Sequence, residues 1–216
     1  MRIPPTVLAA ALTVGLVSCA PILQPPAPAS PFPEAPAESP SPTDTWNVRD
    51  PLAVSDLASL RDVGLLIPVR GMSLAKIDDS FDAARDNGRR HDAVDILSAR
   101  GTPVIAAVDG VILRIGTNAL GGNVVWTADT EMRFVHYYAH LDRYARGLKT
   151  GARIERGAVL GYVGTTGNAP ADVPHLHFQV LRVTDAKRWW DGTPVNPYPF
   201  LYESGAAAGA FTQRSP

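Results

Sequence analysis

Downstream of Leu65, apolar and polar positions alternate in short runs broken by glycine: TPVIAAVDGVILRIG, GGNVVWTADTEMRFVHYYAHL, ARIERGAVLGYVG and HLHFQVLRV. A period of two over four to eight residues predicts β-strands with one face in a core. Asp109-Gly110 falls between two apolar runs and predicts a hairpin turn. No segment of helical length and period interrupts these runs, so the fold class expected is mostly β, an antiparallel β-sheet or β-sandwich. Ahead of them, DPLAVSDLASLRDVG predicts a short helix. Asp50 is its N-cap, Pro51 its first helical residue, Leu52, Leu57 and Leu60 its apolar positions, and Gly64 its end. The folded region is expected from Leu65 to about Val183, with a packed extension to Tyr202 in which WWDGTPVNPYPFLY covers a core edge. Residues 203–216 read as a disordered tail.

The N-terminal quarter follows other rules. Residues 1–18, with one early cation at Arg2 and then an apolar run too short to span a bilayer, read as a secretory signal. The run ends in Leu16, Val17, Ser18 and Cys19, which resembles the bacterial lipobox, so Cys19 is expected to become a lipidated N-terminus. From Ala20 to Thr45 the chain is Pro, Ala and Ser with few large apolar groups and cannot bury enough surface to fold. Proline keeps such a tether extended at about 3.1 Å per residue, a reach of several nanometres from a membrane surface. Residues 46–64 are then the helical lead-in. Ala20 is not the acidic residue that retains lipoproteins at an inner membrane, which points to an outer membrane facing the periplasm.

Net charge is −1, and the basic residues are scattered rather than clustered, which argues against nucleic acid as a partner. Cys19 is the chain's one cysteine, so once it serves as an anchor no thiol remains for a disulfide or for nucleophilic catalysis. Chemistry must come from elsewhere, and the five histidines are the candidates. In a strand, residues two apart share a face, so His175, His177 and Gln179 point one way while Leu176, Phe178 and Val180 enter the core. His91 and Asp95, four apart in HDAVDI, fall on one side in either a strand or a helical turn. Imidazole and carboxylate donors in this arrangement suit Zn2+. Two histidines and one carboxylate leave a tetrahedral ion one open position, so one histidine of His175 and His177 ligates and the other is free to move protons. A closed site, with His91, Asp95, His175 and His177 all ligating, leaves His140 unexplained. Tyr138, on the strand face of His140 by alternation, is a possible substrate or oxyanion donor. His136 lies on that face too, as a bystander. Arg85, Arg89 and Arg90 in RDNGRRH form a local cationic cluster.

HDAVD, YYAHL and HLHFQV, in this order, resemble the lysostaphin-like zinc peptidases that cut peptidoglycan cross-bridges. The resemblance runs from about Ile67 to Val183 and takes in SFDAARDNGRRH, AAVDGVI, GGNVV and GAVLGYVGTTG. It implies His91, Asp95 and His177 as zinc ligands and His140 with His175 as the non-ligand catalytic pair. Peptidoglycan is then the expected partner, and a lipid-anchored endopeptidase of the bacterial cell envelope the expected function. The competing expectation is a wall-binding or amidase-activating module of the same fold that no longer cleaves. Such relatives lack one or more of these five residues, and this chain has all five. The sequence differs from the family at Ala83 and Ala93, where glycine is frequent.

Overall fold

The computed structural model describes residues 54–85 and 88–203. The signal segment, Cys19, the tether and the Asp50-Pro51 cap lie outside the described residues. Helix α1 spans Val54–Val63. It stops because Gly64 adopts φ +61, and its N–H donates to the Leu60 carbonyl at 2.8 Å, the left-handed termination that glycine favours. Leu60 is buried, and Arg133 and Arg182 reach up from the sheet to Ser59 Oγ (2.6 Å) and Asp56 Oδ2 (3.5 Å). The helix therefore packs on the sheet through apolar and polar contacts together. Among the described residues, no helix is long and apolar enough to cross a membrane.

The strands are β1 (Leu65–Leu66), β2 (Val94–Leu97), β3 (Pro103–Ile105), β4 (Gly110–Asn118), β5 (Gly122–Asp129), β6 (Phe134–Tyr144), β7 (Arg153–Ile154), β8 (Val159–Val163), β9 (His175–Arg182), β10 (Thr193–Val195) and β11 (Leu201–Tyr202). Among the described residues, β2 to β10 form one antiparallel sheet, and β1 with β11 a small parallel pair. The main path is β10-β9-β6-β5-β4-β7, with β2 on β9 and β8 on β6 as branches and β3 paired to β8. This is the mostly antiparallel β architecture expected. The aromatic extension belongs to it: β10 pairs with the end of β9, and Trp189, Val195, Phe200 and Leu201 are buried. Glu203 is held as well, its carboxylate accepting from Ser73 Oγ (2.8 Å) and the Leu74 N–H (3.0 Å).

The hairpin expected at Asp109-Gly110 does not form. β3 pairs with β8 and β4 pairs with β5, so the two residues make a corner rather than a two-residue turn. Gly110 has a packing reason instead: a Cβ there would stand 1.8 Å from the Ala128 carbonyl oxygen. Asp109 Oδ1 accepts the Arg156 N–H at 2.7 Å, which ties the corner to the loop before β8.

Two apolar layers lie on the two faces of the sheet. One contains Phe178, Val180, Tyr138 and Leu60; the other contains Leu181, Tyr137, Ala139, Trp126 and Trp189. Strand β9 follows the expected alternation, with Leu176, Phe178 and Val180 in the first layer. Strand β6 follows it only in part. Between Tyr138 and Leu141 it carries one more residue than the facing stretch of β5, and His140 there takes φ +60. Such a bulge reverses which face the following side chain meets. Tyr138 and His136 stay on the first face, opposite Phe178 and Val180, while His140 turns to the other.

His136 is consequently a core residue, 1% exposed and stacked on Phe178, with neither ring nitrogen hydrogen-bonded among the described residues. Burial pulls its pKa from 6.5 down to about 3. Between those two pH values the unfolded chain binds a proton there that the folded chain does not, so stability falls as pH drops below 6.5. The slope is about 1.4 kcal/mol per pH unit for one proton. His136→Phe, which keeps the stack, is expected to make the acid limb of a denaturant-derived stability profile shallower by about that amount between pH 6 and 4; an unchanged slope would show that His136 is not the buried neutral base.

Candidate active site

Antiparallel register brings the first two groups together. Asp95 on β2 lies directly opposite His177 on β9, and side chains so paired share a face at close range. His91 arrives differently from the expected strand or helical turn. The chain turns at Asp92, in the left-handed region at φ +54, and β2 begins only at Val94. Ala93, where glycine was in question, has no positive φ and is fully buried. The strain is one residue earlier, and Gln179 supports it: its Nε2 donates to the Asp92 carbonyl at 3.0 Å from a fully buried side chain.

Three donor atoms converge. His91 Nε2 stands 2.9 Å from Asp95 Oδ1 and 3.0 Å from His177 Nδ1, and His177 Nδ1 stands 3.1 Å from Asp95 Oδ1. A tetrahedron of 2.0–2.1 Å bonds separates its donors by about 3.3 Å, so this trio fits a zinc ion with little adjustment. The outer contacts suit it too. His91 Nδ1 donates to the Ser80 carbonyl at 2.8 Å, which fixes the hydrogen on that nitrogen and leaves Nε2 its lone pair. Ser80 Oγ accepts the Asp95 N–H at 3.0 Å, and Arg85 Nη2 donates to Asp95 Oδ2 at 2.5 Å. Burial opposes charge on Asp95, but its close contacts with the His177 and His91 rings outweigh it and hold the carboxyl far below its usual range. Burial lowers the pKa of His177. Both shifts run toward the deprotonated forms that coordinate metal.

Beside the trio stand two more imidazoles. The ring of His140 lies 4.8 Å from that of His175 and 5.6 Å from that of His177, centroid to centroid. His140 Nδ1 donates to the Thr166 carbonyl and His175 Nδ1 to the Val173 carbonyl, each at 2.8 Å. A carbonyl only accepts, so both rings carry hydrogen on Nδ1 and keep Nε2 as a proton acceptor. His175 Nε2 stands 3.9 Å from Asp95 Oδ1, outside the trio, so the closed four-donor arrangement is not the one seen. Burial and then the nearby His177 charge lower the pKa of His140 to about 4, which leaves it neutral near pH 7.

Backbone contacts hold His140 in its bulge. Its N–H donates to the Gly121 carbonyl at 2.7 Å, and Thr166 bridges the Leu141 carbonyl (2.9 Å) and the Asn123 N–H (2.9 Å). The GGNVV and GYVGTTG segments thus have a local task at this strand.

Tyr138 does not reach the cleft. It is fully buried on the other face, where its hydroxyl accepts the Ala107 N–H at 3.0 Å and burial raises its pKa to about 12. The bulge is the reason, because alternation through it would have grouped Tyr138 with His140. Tyr137 lines the cleft in its place, edge-on to His177 at 6.1 Å, its hydroxyl held by Asn118 Nδ2 at 2.9 Å. Sequence reading also passed over Ser80, whose two contacts to the trio come from a position 11 and 15 residues upstream of their targets.

These groups line one cleft of about 260 Å³. Three metal-capable donors and two further imidazoles on an antiparallel sheet define a metallohydrolase-type site. The model of peptidase family M23 matches residues 89–197, half the chain, and the chain belongs to that family. The family's metallopeptidases use zinc. Similar proteins include the L-Ala–D-Glu endopeptidase of Bacillus subtilis, 36% identical over 126 residues, and the glycyl-glycine endopeptidase ALE-1 of Staphylococcus capitis, 38% identical over 120 residues. The aligned parts are 56% and 55% of this chain but 37% and 31% of those proteins, so the chain spans well under half the length of either. Among solved structures, Helicobacter pylori Csd3 aligns with a TM-score of 0.50 and 27% identity, over 67% of this chain and 38% of that one.

Removal of single imidazoles is expected to separate metal binding from chemistry. His177→Ala should lose bound zinc, whereas His175→Ala and His140→Ala should purify with one zinc per chain. Metal analysis by mass spectrometry checks this, and loss of zinc from His175→Ala would mean that His175 is a ligand.

Proposed function

We propose that the chain is a zinc-dependent endopeptidase that hydrolyses peptide bonds in peptidoglycan stems or cross-links, with His91, Asp95 and His177 as the metal ligands and His140 and His175 as the catalytic pair. The observation that carries this reading is the convergence of Nε2 of His91, Oδ1 of Asp95 and Nδ1 of His177 beside two imidazoles whose remaining lone pairs are unclaimed by the backbone. A zinc ion at the trio would polarise the scissile carbonyl and bring the pKa of a water toward about 7. His140 and His175 supply the proton handling. With Nδ1 committed to a carbonyl, each ring takes a proton at Nε2 without rotating. One accepts the proton of the attacking water at Nε2 and later delivers it to the leaving amine, and the other, once it has taken a proton from solvent at Nε2, donates toward the developing oxyanion. His140, neutral near pH 7, is in the protonation state that a base needs before attack.

Purified full-length chain incubated with peptidoglycan should release soluble peptide fragments. The release should stop with chelator and return with added zinc, and His140→Ala should slow it by at least about 100-fold. Chelator-insensitive release, or none from any wall type, would leave the non-cleaving wall-binding or amidase-activating module as the better account.

We further propose that the protein is a lipoprotein of the bacterial cell envelope, held by lipid on Cys19 and facing the periplasm from the outer membrane. The support is in the sequence: a short apolar leader, the Leu16 to Cys19 lipobox and a Pro-rich tether. Cells fed a labelled fatty acid should incorporate it into the wild-type protein and not into Cys19→Ala. Equal labelling of both would refute the anchor.

A further inference from the structure

The cleft is electrostatically one-sided. Arg85, Arg89 and Arg90 line it, and among the described lining residues the one carboxylate is Asp95. That carboxylate is already engaged, Oδ1 by the two imidazoles and Oδ2 by Arg85. A divalent cation at the trio adds two further positive charges, so the occupied site carries a surplus that a neutral substrate leaves uncompensated. Another part of the lining is apolar. Leu97 and Val173, at 58% and 37% exposure, are the large exposed hydrophobics of the described residues, and both line this cleft.

Arg85 is the member of the cationic wall best placed to read substrate. Its contact with Asp95 Oδ2 sets its guanidinium within one carboxylate's width of the metal trio, and its side chain is 41% exposed. Arg90 is drawn to Asp82 and Asp92 instead. A guanidinium offers five N–H donors in a planar fork, so a group bonded through Nη2 to one carboxylate retains donors for a second. A carboxylate one residue from the scissile bond would meet that fork while a small side chain such as alanine's methyl lies against Leu97 and Val173.

We propose that Arg85 forms a carboxylate subsite beside the metal trio and selects acidic stem-derived peptides over neutral bridges such as oligoglycine. This rests on the endopeptidase reading of the same cleft. An acidic stem peptide satisfies both walls, whereas a glycine bridge has neither a charge for Arg85 nor a methyl for the apolar rim.

The test uses the zinc-loaded full chain with a cross-linked stem-peptide dimer containing diaminopimelate and a copy in which the free carboxylates are carboxamides. Cleavage gives kcat/KM, and calorimetry with the uncross-linked acid and amide peptides gives Kd. The acid form is expected to be favoured by about 10- to 100-fold in both, the range for a hydrogen bond between charged groups. In Arg85→Gln the acid-to-amide ratio should fall to near one, and in Arg85→Lys it should be partly restored. The ratio is taken within each protein, so partial loss of fold or zinc does not imitate the effect. Equal cutting and equal binding of the two peptides by wild type, or a ratio that survives in Arg85→Gln, would overturn the subsite. If neither peptide is cut but the acid form still binds at least tenfold tighter through Arg85, the endopeptidase reading falls and the subsite stands.

Discussion

The site depends on the pairing of β2 with β9. Register alone puts Asp95 across from His177, with Val94 opposite Phe178 and Ile96 opposite Leu176 in the core. A slip of one residue would bring a core side chain to the cleft and bury the carboxylate, so burial of Val94 and Ile96 enforces the geometry of the donors. Strand β9 carries further weight because it also pairs with β6 and β10. A change in its apolar face reaches both the His91, Asp95 and His177 trio and the His140–His175 pair.

The second constraint is a departure from regularity. A uniformly alternating β6 would bury His140 beside His136 and Tyr138. The extra residue, with its left-handed backbone, costs a ladder position and about 1–3 kcal/mol of backbone strain. Hydrogen bonds from the Gly121 and Thr166 segments hold it there. The two histidines of YAHL and its approach thus have opposite fates: His136 packs as a neutral aromatic, and His140 lines the cleft.

Much of this was legible in the residues. Alternation in HLHFQV placed His175, His177 and Gln179 together, and glycine-broken apolar runs announced an antiparallel sheet. Periodicity failed where the backbone leaves its regular path. The sequence around His140 is amphipathic on both faces, so polarity carries no mark of the bulge, and Tyr138 was grouped with the wrong neighbours. Asp109-Gly110 has the composition of a turn, but its glycine answers to contact with Ala128, a strand distant in sequence. The supporting roles of Ser80 and Asn118 come from tertiary proximity, which no local pattern encodes.

Helix α1 lies against the layer of Phe178 and Val180, and the cleft opens on the reverse side of β9. The first described element therefore braces the sheet on the face away from the cleft. A molecule entering the cleft thus need not displace this helix.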